Sequence, residues 1–430
     1  MLAPSSRSRK KFPVASQPEM RIVPTIMKAT AAYLPIATLL SLTTIAPADD
    51  WPWRGASHNG ISGETGLKLS WDSEPKTLWK AKIGEGYSSV VVHGKQLFTM
   101  GLDARSKTET VRCLDANTGA EIWTHSYKST FKPKYYDGGT SGTPTVDGES
   151  VYVFAQTGEL MSLKRSDGKP NWEKNLEDEL GFKIGVWGLT GAPLVYGDLL
   201  ILNAGDHGVA VEKKSGKVAW SSGEGQNGYA TPVLFKQGGK DLIAIFSATG
   251  LHAVDPTSGK QAWSHKWKTK YEVNAADPIV LSDNRLFISS GYKTGCAMLQ
   301  FSGSGASKEL WKNKNMRNQL NPSLHIGGYL YGVDGDTSGN ATLNCIDARN
   351  GKLMWKGPKI GSGSLISAMG KLIIITEKCE LIIADPSPEG FRPGSRAQVL
   401  GGKCWTTPSL ANGLLYVRNQ KGDLACISLR

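Results

Sequence analysis

The sequence lacks the short signatures by which most enzyme chemistry is recognised. There is no Gly-x-Ser-x-Gly elbow for a nucleophilic serine and no Gly-rich phosphate loop. No Cys-x-x-Cys-His occurs, which excludes covalent haem, and no two Cys are adjacent. The seven histidines, His58, His93, His125, His207, His252, His265 and His325, are scattered without metal-ligand spacing. A hard cation takes about six oxygens, but no Asp/Asn/Glu cluster has a recognisable loop spacing, and Asp334-x-Asp336 is a lone pair in a Gly-rich turn. Beyond the N-terminus we read neither sustained helical periodicity nor a Lys/Arg run interleaved with aromatics. Helical folds and nucleic-acid partners are therefore not expected.

What is there begins with a leader. Residues 1–48 hold Arg7, Arg9, Lys10, Lys11, Arg21 and Lys28 against the single acid Glu19, then an apolar run from Ala31 to Ile45, then Ala46-Pro47-Ala48. A basic patch, an apolar stretch and a small-residue site in that order read as a secretory signal, with Met20 or Met27 as alternative starts and cleavage after Ala48. The apolar run is shorter than the ~20 residues of a membrane span. No Cys follows it closely, so an acyl-lipid anchor on a cleaved N-terminal Cys is not expected. Much of the formal net charge of +12 belongs to this leader, and what remains is mild for the length. The expected fate is export, to a periplasm or beyond.

The rest of the chain is organised by one recurring turn. Leu114-Asp115-Ala116-Asn117-Thr118-Gly119-Ala120-Glu121-Ile122-Trp123 has an Asp to bond its own following backbone, a Gly for the left-handed position and a Trp four residues on. Asp255 to Gly259 to Trp263 and Asp347 to Gly351 to Trp355 repeat every part. Gly168 to Trp172 and Gly216 to Trp220 keep the spacing, and Trp79 and Trp311 are looser copies. The intervals from Trp79 through Trp123, Trp172, Trp220, Trp263 and Trp311 to Trp355 are 44, 49, 48, 43, 48 and 44 residues. That is the length of a propeller blade, and the β-branched, Gly-punctuated segments between are too short for helical repeats.

Eight units follow, starting at Val90, Pro144, Pro193, Pro232, Pro278, Pro322, Leu365 and Pro408. Pro lacks a ladder donor and belongs at the first residue of a strand, where six of the eight place it. The stretch 76–84 is a Trp-bearing outer strand with no inner strands before it, while the C-terminal unit has inner strands and no Trp. Joined, they make one blade and close the ring. The expected fold is all-β, an eight-bladed propeller of four-stranded blades over 76–430, preceded by an arm over 49–75. In the seventh unit Val399 stands where Trp should. Cys113, Cys345 and Cys426 fall where other blades carry Ala253 or Ser162 and read as small buried side chains. Cys379 and Cys404 sit in neighbouring units, paired or free, and a pairing leaves Cys296 alone.

The Asp-x-x-Thr/Ser/Asn-Gly-x-x-x-Trp turns resemble those of the pyrroloquinoline-quinone-type β-propeller repeat family. The lead Asp50-Trp51-Pro52-Trp53-Arg54-Gly55, with Gly63-Glu64-Thr65-Gly66-Leu67, resembles the opening of its exported members. The family includes quinone-dependent alcohol dehydrogenases and a non-catalytic lipoprotein propeller of the outer-membrane barrel-assembly machinery, which this chain also resembles. The resemblance implies that the Trp residues dock blade on blade. It allows pyrroloquinoline quinone with calcium as a cofactor, although the adjacent Cys pair and the extra length of many such enzymes are missing.

Function must then come from a site rather than from the fold. Trp187, Tyr229, Asn274, Asn318, Lys403 and Trp405 lie just before first strands, on loops that should converge on one mouth of the central channel. Aromatic faces beside amides there could stack on a flat ligand or a peptide, or simply plug the channel. The reading adopted is a non-catalytic exported scaffold, expected to be monomeric, that binds protein or peptide at the cell envelope. The alternative is a compact quinone-dependent dehydrogenase. A third is sugar binding by Trp51 and Trp53.

Overall fold

The computed structural model describes residues 50–430 apart from residue 304. The leader and its alternative starts lie outside the described residues. Eight antiparallel sheets follow one another round a ring. Blade 1 runs outward through Val91–His93, Gln96–Asp103, Thr108–Asp115 and Glu121–Lys128, and blades 2 to 7 repeat this order, with first strands Thr145–Asp147, Leu194–Tyr196, Val233–Gln237, Ile279–Leu281, Leu324–Ile326 and Ser364–Ala368. Blade 8 takes Ser409–Ala411, Leu414–Arg418 and Asp423–Ser428 from the C-terminus and its outer strand, Thr77–Lys82, from the other end. At that seam Trp79 lies opposite Cys426 and Lys82 opposite Asp423. Among the described residues no helix is long and apolar enough to cross a membrane.

The recurring turn has two jobs, and the coordinates show both. Oδ1 of Asp115 accepts from the backbone N–H of Asn117 and Thr118 and from the Thr118 hydroxyl, while Gly119 N–H returns to the Asp115 carbonyl. Gly119 sits at φ +72°, and a Cβ there would fall 2.6 Å from the indole of Trp79, which comes from the preceding blade. The same holds for Gly168 on Trp123, Gly216 on Trp172, Gly259 on Trp220 and Gly351 on Trp311. Glycine is needed for its backbone angle and for its bare face. The indole N–H then donates to the next blade: Trp79 to Ala116 O, Trp123 to Arg165 O, Trp172 to Lys213 O, Trp220 to Pro256 O, Trp311 to Ala348 O and Trp355 to Ser387 O.

Two junctions depart from the rule. The outer turn of blade 5 lacks the Asp-to-Gly pattern, and Trp263 donates instead to Gln237 Oε1 in its own blade at 2.7 Å, whose Nε2 donates onward to Gly305 O. At the junction of blades 7 and 8 the outer strand Arg392–Gln398 has no Trp, a disulfide joins Cys379 to Cys404, and the buried Val399 lies past the strand's end, so it does not take the Trp place expected of it. Within blades the partner of each Trp is small. Cys426, Cys113, Ser162, Ala210, Ala253 and Cys345 face Trp79, Trp123, Trp172, Trp220, Trp263 and Trp355, with Met298 opposite Trp311 as the exception. Cys113, Cys296, Cys345 and Cys426 are free and buried, and burial pushes each thiol up to about 12.

Close to the axis the first strands are laced together by short polar side chains. Thr145 Oγ1 donates to Pro193 O, Thr407 Oγ1 to Asn321 Oδ1, Ser364 Oγ to Thr406 O and Ser409 Oγ to Val90 O, and Thr231 Oγ1 accepts from Ala192 N–H. Each bond spans two blades, so the inner ring is joined by hydrogen bonds where the outer ring is joined by indoles.

The arm crosses the channel. Trp51 pairs with Val92 of blade 1. Trp53 Nε1 donates to Asp277 Oδ2 at the foot of blade 5, and the Arg54 guanidinium donates to Pro322 O and Ser323 O of blade 6. Ile61–Ser62 then adds a parallel fifth strand to blade 7, and Lys68 N–H reaches Leu429 O of blade 8. The arm is therefore built into the ring, and blade 7 has one strand more than its neighbours. Trp51 is buried while Trp53 lines the channel cavity, so the two rings do not form one exposed platform.

Candidate functional site

Each blade is entered by a loop that passes over the same end of the channel, so one position of the repeat is presented eight times to one space. Counting back three residues from each unit start gives Tyr87, Ser141, Thr190, Tyr229, Ala275, Gln319, Ser362 and Trp405. All but Ser362 line a cavity of about 210 Å³ at that mouth. Tyr136, Trp187 and Tyr292 complete an aromatic wall, and Trp53 and Asp277 are at its base.

The wall is held by its own contacts. Tyr87 and Trp405 stack with centroids 5.3 Å apart and an interplanar angle of 19°, and Trp187 meets Tyr229 edge-on at 5.8 Å. Gln156 Nε2 donates to the Tyr136 hydroxyl, to Ser141 Oγ and to the Trp187 carbonyl, fixing three pieces of the rim from beneath. The Lys403 ammonium lies 4.6 Å from the Trp405 ring centroid and pairs with Asp137, clamping the loop that carries Tyr135 and Tyr136 to the loop that carries Trp405. Burial raises the phenols of Tyr136 and Tyr229 to about 12, so both are neutral hydroxyls at any ordinary pH.

The structure divides the sequence-derived residues into two groups. Trp187, Tyr229 and Trp405 line the cavity and Lys403 braces it. Asn274 and Asn318 do not line it. Asn274 Nδ2 donates to Ser247 O and its Oδ1 accepts from Ser290 Oγ, while Asn318 Nδ2 donates to Val333 O and its Oδ1 accepts from Ser323 Oγ. A buried amide with every group engaged fastens loop backbone and has nothing left for a ligand. Tyr87, Tyr136, Tyr292, Trp53 and Asp277 were missed. The count of three before each unit start finds Tyr87, but no sequence signal links Trp53 to Asp277.

At the base, Asp277 Oδ1 accepts from Thr231 N–H and Oδ2 from the Trp53 indole. Arg54 is fully buried beside it, and burial lowers its pKa to about 10 against the attraction of Asp277. Burial also raises the Asp277 carboxyl, with Arg54 pulling the other way. Among the described residues the two opposite charges attract one another without forming an ion pair. Asp334, read from sequence as half of a lone acidic pair, is bound on both oxygens by Arg317 at 2.7 and 2.6 Å. With both acids engaged, these residues do not fit a calcium–quinone pair.

One reading of the charge pattern needs correction. Lys266-Trp267-Lys268-Thr269-Lys270-Tyr271 is a basic run interleaved with aromatics, and it leads into the loop before the fifth unit, whose Val273, Ala275 and Asp277 line the cavity. Its exposed Lys266, Lys268 and Lys270 alternate with the buried Trp267 and Thr269.

Comparison with known proteins agrees with this architecture. Outer membrane protein assembly factor BamB of Yersinia pestis is 22% identical over 355 residues, covering 81% of this chain and 77% of that protein. The protein of the same name from Moranella endobia is 24% identical over 326 residues, covering 70% of this chain and 81% of that protein. Among solved structures, BamB from Moraxella catarrhalis superposes with a TM-score of 0.62 at 14% identity, covering 83% of this chain and 98% of that one. Quinohemoprotein alcohol dehydrogenase from Comamonas testosteroni gives 0.63 at 14% identity, covering 89% and 80%. At such identities the structures show a shared propeller and no shared chemistry. The family model described as outer membrane protein assembly factor BamB matches residues 107–357, more than half of the sequence, and the chain belongs to that family.

Proposed function

We propose that this chain is a non-catalytic, exported scaffold that works in outer-membrane protein assembly by holding a segment of another polypeptide at its aromatic mouth. The observation that carries the reading is the shape and chemistry of that mouth. Aromatic rings from several blades surround a recess lined also by the protein's own Trp53, whose indole occupies the Asp277 carboxylate. Such a site suits an apolar or aromatic side chain presented on an extended segment. Export to the cell envelope and a monomeric state belong to the same proposal.

The test is a fluorescence titration of the purified protein with a permanently unfolded polypeptide, reduced and carboxymethylated α-lactalbumin, in wild type and in a Trp187→Ala/Trp405→Ala variant. Saturable binding weakened at least tenfold in the variant supports the scaffold. Reduction of a dye by an alcohol substrate, appearing only after quinone and calcium are added, would overturn it in favour of the dehydrogenase.

A further inference from the structure

Two strained tyrosines mark one sector of the mouth. Tyr271 and Glu272, on the loop before blade 5, have φ of +66° and +59°, and Tyr292 and Lys293, on the turn inside blade 5, have φ of +48° and +64°. A left-handed backbone at a bulky side chain is costly and persists where the surroundings impose it. The imposed geometry sets the two rings edge-on, with centroids 5.2 Å apart. Tyr271 is 55% exposed, and Tyr292 lines the cavity.

Around these rings stand six exposed lysines: Lys266, Lys268 and Lys270 on the blade 4 side, and Lys293, Lys312 and Lys314 on blade 5. Two of them sit on aromatic rings. Lys270 lies 4.7 Å from the Tyr271 ring centroid, and Lys312 lies 4.4 Å from that of Trp267. Among the described residues none of the six forms an ion pair, although seventeen ion pairs occur elsewhere. Three acids stand close by: Glu272 within the loop, Glu309, which faces His265, and Asp336, whose charge acts on the Tyr292 phenol. A set of cations without ion-pair partners, two of them held on aromatic faces beside a recess, is a surface prepared for anionic groups.

From this patch we infer that the blade 4–5 rim selects acidic segments of polypeptide, its lysines pairing with Asp or Glu while a neighbouring side chain of the same segment enters the aromatic cavity. The inference rests on the scaffold reading and names the class of partner. A peptide is favoured over an anionic membrane surface because the tyrosines lead down into a recess that a flat bilayer cannot follow. Glu272 at the same rim would also repel a continuous sheet of negative charge, whereas a chain can place its acids around it.

The experiment uses the full exported chain, a synthetic (Glu-Gly-Tyr)4 peptide and its (Gln-Gly-Tyr)4 counterpart. It compares wild type with a Lys266→Gln/Lys268→Gln/Lys270→Gln/Lys293→Gln variant, whose changes are all on the surface. The expected result is at least tenfold tighter binding of the acidic peptide, lost in the lysine variant and weakened as salt rises from 50 to 500 mM. Equal binding of both peptides, sensitive only to Trp187→Ala/Trp405→Ala, overturns the acidic preference and leaves the scaffold standing. Binding of neither peptide, in a protein that still takes up the unfolded polypeptide, also overturns it. Co-sedimentation with phosphatidylglycerol vesicles at an affinity above that for the acidic peptide assigns the rim to a membrane and overturns the inference.

Discussion

The indole of Trp53 donates a hydrogen bond of 2.7 Å to the Asp277 carboxylate across a separation of 224 residues, and that bond seats the arm in the channel. Replacing Trp53 by Phe keeps a ring and removes the donor. A hydrogen bond to a charged group is worth about 1.5–3 kcal/mol, and a loss of that size should appear in the urea midpoint. Trp71→Phe, which loses only a 3.3 Å bond to the Arg396 carbonyl at an exposed site, should cost less than about 1 kcal/mol.

The same carboxylate predicts a pH signature. Burial raises the Asp277 carboxyl above its ordinary 3.8, so the folded chain keeps that proton to higher pH than the unfolded chain does. Its stabilising effect is complete below 3.8 and is lost as pH rises through the raised value. Asp277→Asn has no proton to lose. The stability of wild type relative to this variant should therefore fall as pH is raised through that window, in paired denaturation curves. A gap that widens in favour of wild type would contradict the direction assigned here.

Gly259 carries both demands of the recurring turn. Its φ is +69°, and a Cβ would lie 2.5 Å from the Trp220 indole. Gly259→Ala should cost about 2–4 kcal/mol, of which roughly 1 is backbone and the rest overpacking. Gly197→Ala, with φ +55° and open space around it, should cost only the backbone share of about 1 kcal/mol. Adding Trp220→Leu should erase most of the excess at Gly259 and none at Gly197, a non-additivity that a double-mutant cycle measures.

Cys379 and Cys404 join blades 7 and 8 at the junction where the outer strand of blade 7, Arg392–Gln398, carries no indole. Their loop spans 25 residues, for which chain-entropy reasoning gives about 3 kcal/mol. Dithiothreitol should lower the melting midpoint of wild type and leave a Cys379→Ser/Cys404→Ser variant unmoved. Limited proteolysis of that variant should cut first between residues 399 and 407.

Lys403 and Asp137 form an exposed pair, and such pairs contribute about 0–1 kcal/mol. Lys403→Ala should leave the melting midpoint nearly unchanged. Amide exchange in residues 129–139 should quicken all the same, because this clamp ties that loop to the rim.

The ring was legible in the sequence because its rule is local. Gly119 and Trp123 sit within one hairpin, and a spacing repeated along the chain is visible without coordinates. The seam was legible for the same reason, since an outer strand without inner strands can be recognised at Trp79. What could not be read was contact between distant, unrepeated segments. The arm meets blades 1, 5, 6, 7 and 8 through single residues that follow no period, so Trp53, Arg54 and Asp277 gave no joint signal. Asn274 and Asn318 misled in the opposite sense. Their place in the repeat is that of the rim, but their amides are spent on Ser247, Ser290, Val333 and Ser323.

The seam between Thr77–Lys82 and Asp423–Ser428 also sets an order of events. A ribosome delivers the first of these strands well before the second, so the blade that needs both cannot assemble until the seven blades between them in sequence have been made. Until then the polypeptide is an open arc with unsatisfied strand edges at either end. Late closure leaves the ring open while its other seven blades are made.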